Sequence, residues 1–348
     1  MPIQPFFEEG LKYYFGKDYE EVFKASLLLQ YLELKTRSIE KSSKSRANYG
    51  NIYAIYVLVE DYLNNKFDEN NNYSSYEGAK FSDIFRRQRE LPFGEKLQNH
   101  ALNHRCNEEF RKFFRTSSEV PITRNLATSR YWINEKLLLV NANSKTYNIA
   151  KSLIGIINEY VSKKQSKSLA LLQTCLKFKE SFRKEEFIEF VKSLLSPTVD
   201  ARTFEIVSFT ILKNYYSTKN IQLFKTGRTN ANDGGIDFVM RPEGRFFQVT
   251  EVLDFKKYFL DIDKINRYPI TFVIKSSRSP KELRLQILTN ARRDFQNRGI
   301  LNKYMDAIEE IISIPTLLER LDEVIQNRMV TNLLEDLILY YKIEFNIK

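Results

Sequence analysis

Cysteine is scarce in this chain of 348 residues: Cys106 and Cys175 stand far apart, in no CxxC pair. That excludes a disulfide framework and a zinc ribbon, and it fits a reducing compartment. Histidine is equally scarce, His100 and His104 being the whole supply. No GxxxxGK[ST] occurs, which removes ATP hydrolysis by a P-loop, and no GxSxG marks a nucleophile elbow. The longest apolar run, near residues 55–59, falls far short of the ~18 residues of a membrane span. The opening MPIQPFFEEGLKYYF lacks the basic-then-apolar order of a signal peptide. A soluble, cytoplasmic protein is expected.

What the chain does have is positive charge, unevenly spread. Between residues 80 and 170 there are 17 Lys or Arg against 8 Asp or Glu, nine of the whole chain's net excess of ten. The densest stretches are FRRQRELPFGEK (85–96), NHRCNEEFRKFFR (103–115) and VSKKQSK (161–167). Arginine interleaved with Phe and Gln suits a phosphate backbone with base edges beside it, although solvated helix faces carry such runs too. Arg86, Arg87, Arg89, Lys96, His100, His104 and Arg105 are the candidate DNA contacts in this band, with Arg228 beyond it. His100 and His104, four apart on an expected helix, have the spacing to share a metal, but no second ligand pair accompanies them.

Apolar residues recur at three- and four-residue intervals in FKASLLLQYLELKTR (23–37) and IYAIYVLVEDYL (52–63), so both are expected helices, with the polar tract 38–51 between them. Helices are expected to continue from about 80 to 195, broken near Pro121. WINEKLLLV (132–140) reads as strand or short helix, and 144–161 as an amphipathic helix. SLLSPTVD (193–200) marks a domain boundary, giving a mainly helical, basic region over 1–195 and an α/β domain over 196–348. ARTFEIVSFTILKNYY (201–216) is apolar on nearly every face, which makes Glu205 conspicuous. Strands are expected at 220–227, 235–240, 245–252 and 268–275, with a helix at 256–266. Ser279-Pro280-Lys281-Glu282 forms a capping box that opens a helix to about Gln296, with Gly299 as its stop. Helices then fill most of 302–342.

Arg241-Pro242-Glu243-Gly244 suits a type I hairpin turn. A two-residue loop sets Asp237 opposite Gln248; a three-residue loop shifts the register by one. Alternation puts Gln248 and Thr250 on one face and Val249 and Glu251 on the other. Gly234 and Gly235 allow close backbone approach to Asp237. Polar cross-strand partners at one end of an apolar hairpin have the makings of a site, although an aspartate beside Gly-Gly is also ordinary turn chemistry.

DGGID leading through a hairpin into FFQVTE resembles the PD-(D/E)XK nuclease superfamily, in the branch that reads Gly-Ile-Asp and then Gln-x-Lys, as in Mrr-like and many type II restriction enzymes. The resemblance covers about 200–276 and implies a restriction endonuclease-like core, a mixed sheet flanked by helices. It implies Asp237 as bridging ligand of Mg²⁺, Glu205 as the first-helix acid, and Gln248 and the Val249 carbonyl as further oxygens. Mg²⁺ suits such donors, being hard and content with one or two carboxylates. Thr250 departs from the pattern, which has lysine there. Lys225, Lys256 or Lys257, or Glu251 brought round by a bulge, are the substitutes considered, together with a degenerate site that only binds DNA. With only two histidines, a histidine-dependent nuclease is poorly supported.

The resemblance implies a sequence-specific, Mg²⁺-dependent double-stranded DNA endonuclease of the type II restriction kind. A homodimer is implied, since a two-fold protein matches a palindromic site, as is a partner DNA methyltransferase. An Mrr-like modification-dependent or repair nuclease is the alternative. Neither membrane nor nucleotide cofactor is expected.

Overall fold

A computed structural model describes residues 2–347 other than 42–44, 71, 96, 198, 200, 227–235, 252, 296 and 346, and not the side chains of 40, 41, 45 and 46. The chain divides into two compact units between Leu171 and Leu172. This is upstream of the boundary expected at 195/196, because the helix carrying VSKKQSK runs on to Glu180.

The first unit is built from α1 (Pro5–Phe15), α2 (Tyr19–Ala25), α3 (Leu27–Lys41), α4 (Ser45–Asn64), β1 (Ala79–Lys80), α5 (Phe81–Glu90), α6 (Cys106–Phe113), β2 (Ile122–Asn125), β3 (Arg130–Ile133), β4 (Leu139–Ala142), β5 (Lys145–Asn148) and α7 (Ala150–Glu180), which crosses into the second unit. α4 is its centre. Residues 51–59 of that helix are buried throughout, and α3 and α5 pack beside it. The polar tract 38–51 is helical on both sides of 42–44.

Between 122 and 148 strands replace the expected helices, apart from 132–140, which reads as strand or short helix and supplies the end of β3 and the start of β4. β1, β3 and β2 form one small antiparallel sheet, and β4 pairs with β5 in another. Ala142 faces Lys145 across a two-residue loop, and Asn143 and Ser144 both take positive φ, 49° and 59°. That is the turn whose twist matches a hairpin, and Asn tolerates it well. The amphipathic helix therefore starts at Ala150, where Asn148 Oδ1 accepts from the first backbone N–H at 3.0 Å.

The second unit continues with α8 (Lys184–Leu195), α9 (Ala201–Ser217), β6 (Gln222–Lys225), β7 (Phe238–Arg241), β8 (Arg245–Thr250), α10 (Phe255–Lys264), β9 (Ile270–Ile274), α11 (Pro280–Asp294), α12 (Arg298–Ala307), β10 (Ile308–Ile312), α13 (Ile314–Gln326) and α14 (Val330–Phe345). Five strands make one mixed sheet in the order β10-β9-β8-β7-β6. β6, β7 and β8 run antiparallel in turn, whereas β9 and β10 lie parallel to β8 and to each other. Helices cover both faces, so every residue of β9 is buried. On one face Phe246, Phe272 and Ile274 pack with Tyr258, Leu283 and Leu301 of α10 to α12. On the other, Phe238 meets Phe209 of α9 at 5.0 Å between ring centroids, and Phe247 meets Tyr216 at 6.0 Å.

β10 lies where helix was expected. Its Glu309 and Glu310 are held by Arg245, at 2.9 and 2.8 Å, and Glu310 also by Arg320. Gly299 is no helix stop either. It lies in the first turn of α12, whose N-cap Asn297 accepts from Gly299 N at 2.9 Å. The capping box of α11 forms as read, with Ser279 Oγ accepting from Glu282 N and Glu282 reaching back to Ser279 N.

Candidate functional site

Strand direction brings the chemistry to one end of the large sheet. Lys225 ends β6, Asp237 precedes β7, Thr250 ends β8 and Lys275 follows β9. The β7–β8 register pairs Phe238 with Phe247, and continuing it by one residue sets Asp237 opposite Gln248. The turn between these strands carries a cis Arg241–Pro242 peptide, and Gly244 takes φ 67°, where a Cβ would be strained. Gly234 and Gly235 lie outside the described residues.

Asp237 is fixed through backbone and side chain. Its N–H donates to Phe247 O at 2.8 Å, and its Oδ2 accepts from Val249 N at 2.8 Å. Gln248 is 8% exposed. Its Nε2 donates to the Val249 carbonyl at 3.2 Å, while its Oε1 is buried with no hydrogen-bond partner among the described residues. A buried acceptor left unmatched is costly, about 1–3 kcal/mol; Gln248 Oε1 is one of several such atoms among the described residues, set apart by its place beside Asp237.

Glu205 comes from α9 and approaches this sheet end from the other face. It is paired with Lys225 at 3.0 Å, both side chains being largely buried. Arg202 and Lys213 of the same helix serve Glu344 and Asp336. Glu251 follows the strand alternation onto the α9 face, where Lys275 holds it at 2.7 Å. Lys275 is 4% exposed at its side chain, lies over the Phe204 ring and also donates to the Val199 carbonyl. Thr250 is buried on the α10 face and its hydroxyl bonds Tyr258. Lys256 is engaged by Asp294 at 2.8 Å on an exposed stretch of α10, and Lys257 is exposed beside it. The arrangement thus joins Asp237 with Gln248 on one face, and Glu205–Lys225 and Glu251–Lys275 on the other. Lys275 was missed because its meeting with Glu251 depends on a parallel register that no local pattern carries.

The donor set matches the Mg²⁺ that the resemblance implies. Asp237 and Gln248 offer hard oxygens, and the unmatched Oε1 is the acceptor such an ion would complete. Among the described residues no group of three or more His, Cys, Asp or Glu is close enough to hold a metal. An ion here would take the Asp237 carboxylate, the amide oxygen and water, since Glu205 and Glu251 lie on the other face in pairs with lysines.

The basic band is less uniformly free than its composition suggests. Arg87 is committed to Glu60 by two bonds of 2.7 and 2.8 Å. Arg86 is well exposed beside Asp83, and Arg89 donates to Glu95 O at 2.8 Å. His100 and His104 are exposed and meet edge to face at 5.8 Å. His104 lines a cavity between the α6 segment and the β2–β3 hairpin together with Arg111 and Arg124. Arg105 is half-buried. Lys96 and Arg228 lie outside the described residues.

No family model, curated protein or solved structure matches this chain. No helix among the described residues is long and apolar enough to cross a membrane.

Proposed function

We propose that the second unit is a Mg²⁺-dependent phosphodiester hydrolase acting on double-stranded DNA, of the PD-(D/E)XK type, and that the basic band of residues 80–170 contributes DNA contacts. The observation that carries this reading is the buried, unmatched Gln248 Oε1 beside Asp237 at the end of a mixed sheet, with two lysine–glutamate pairs across that end. The mixed sheet flanked by helices supports it, being the architecture that the resemblance implies.

In this reading Asp237 and Gln248 hold the ion. Bound Mg²⁺ supplies neutralisation of charge on the scissile phosphate and a more acidic water. The residues of the chain position the phosphate. Lys225, paired with Glu205, gives an ammonium group near the strand ends, where oriented charge is most effective on a developing anion. It stands in for the lysine that Thr250 replaces, Lys275 being committed to Glu251 and the Val199 carbonyl. A homodimer cutting both strands of a palindromic site, with a cognate methyltransferase, completes the restriction reading.

Incubating supercoiled plasmid with the protein and Mg²⁺ tests it. Discrete fragments sharing one end sequence are expected, with methylated and unmethylated plasmid separating a restriction enzyme from a modification-dependent one. A second reading, a DNA-binding protein without activity, is favoured by Thr250, whose hydroxyl is turned to Tyr258. Unbroken plasmid in Mg²⁺ together with intact DNA binding would establish that second reading.

A further inference from the structure

A groove of about 530 Å³ along α5 of the first unit has a construction that surface basicity does not explain. Phe81, Phe85 and Arg89 recur four apart, so they stand one above another on a single helix face. The two phenyl rings are parallel within 9°, with centroids 5.7 Å apart. Arg89 continues the column, its guanidinium 6.0 Å over the Phe85 ring and its Nε anchored on Glu95 O. The rings are only half-buried, so the side of the column lines the groove. Arg86 stands on the rim with 71% of its side chain exposed, and Glu90 and Glu95 complete it. Arg87 is turned to Glu60 instead.

Each part suits one kind of occupant. Both faces of Phe85 are occupied, so a nucleobase joins the column on the exposed Arg89 guanidinium, where it gains from the cation and from the rings stacked beneath it. Arg86 is placed for the attached phosphate. Glu90 and Glu95 repel further phosphates, which disfavours a continuous duplex backbone lying in the groove, while their oxygens can accept from the amino edge of a base. We propose that the Phe81–Phe85–Arg89 column is a stacking site for an unpaired base of DNA. This deepens the nucleic-acid half of the reading above and does not depend on hydrolysis.

The test uses a single-stranded oligodeoxynucleotide carrying the fluorescent base 2-aminopurine, titrated with the full chain in excess EDTA so that no cleavage intervenes. Binding should quench the probe, and Phe85→Leu and Arg89→Met should each weaken single-strand binding about tenfold. Binding of a fully paired duplex by Phe85→Leu should change less than about twofold, and Phe85→Trp should restore the quench. Unquenched binding by the wild-type protein, unchanged affinity in Arg89→Met, or tighter binding of the same sequence as RNA would overturn the proposal. Arg89 is exposed, so its variant decides the matter even if Phe85→Leu fails to fold. Quenching in EDTA without plasmid cleavage in Mg²⁺ would remove the hydrolase and leave the stacking site; cleavage without quenching would do the reverse.

Discussion

Asp237 carries two duties that a pair of substitutions can separate. Its Oδ2 accepts the Val249 N–H, and its charge is the one proposed for the metal. Asp237→Asn keeps an acceptor oxygen for that N–H, so it should abolish cleavage while leaving the thermal midpoint nearly unchanged. Asp237→Ala also strands the N–H and should lose about 1–3 kcal/mol in a denaturant titration. Equal stability in both variants would show that the 2.8 Å bond contributes little. Lys225→Met is expected to slow cleavage about a hundredfold or more with DNA affinity in EDTA retained, as for removal of one fixed donor to a developing anion. Lys275→Met leaves Glu251 without its 2.7 Å partner and should destabilise by about 3 kcal/mol, most of it recovered in the double variant with Glu251→Gln. The thiols give an independent check on packing. Burial pushes both Cys106 and Cys175 up to about 12, so a thiol reagent at about pH 8 should label neither until the chain is unfolded.

At the scale of elements, what could be read from the sequence was whatever is decided locally. The capping box at Ser279 is an arrangement of four neighbours, and it forms. The backbone and hydroxyl of Ser279 hold the Glu282 carboxyl below its ordinary range. A lowered folded-state value means that the contribution is complete above the ordinary carboxylate range and disappears as pH falls through the lowered one. Glu282→Gln should therefore be less stable than wild type at neutral pH, with the two melting curves converging in acid. A gap that persists or widens in acid would contradict this. The β7–β8 hairpin was likewise legible, and of the two registers open to it the structure takes the one that sets Asp237 opposite Gln248. β10 was not. Ile308-Glu309-Glu310-Ile311-Ile312 follows a helix directly and carries two charges, which Arg245 and Arg320 from other elements pair beside β9. The β4–β5 hairpin did have its signal, Asn143-Ser144 between alternating residues, but it lay hidden within a stretch that also has helical spacing further on.

For the whole molecule, composition located the positive charge without saying which side chains are available. The charge excess over 80–170 implies DNA affinity that falls steeply with salt, because bound phosphates release counterions. Arg86 and Arg87 adjoin in sequence yet should behave oppositely. Arg86→Ala should weaken binding to all sequences alike and lower the slope of log affinity against log salt by about one. Arg87→Ala should leave that slope alone and lower stability, since its guanidinium bridges to Glu60. Identical salt slopes for wild type and Arg86→Ala would remove Arg86 from the DNA surface. The two-unit division was hidden for a related reason. A continuous helix crosses it, and the Ser-Pro signal at 196–197 marks the start of α9 and not the change of core.

One strand of the large sheet is pinned twice. Arg245 at the start of β8 is clasped by two glutamates of β10, and Glu251, just past its end, is clasped by the lysine that follows β9. Like a string stopped at nut and bridge, β8 cannot slide along its own length. A ligand arriving beside Gln248 must then be accommodated by side chains swivelling in place, the strand keeping its register laden or bare.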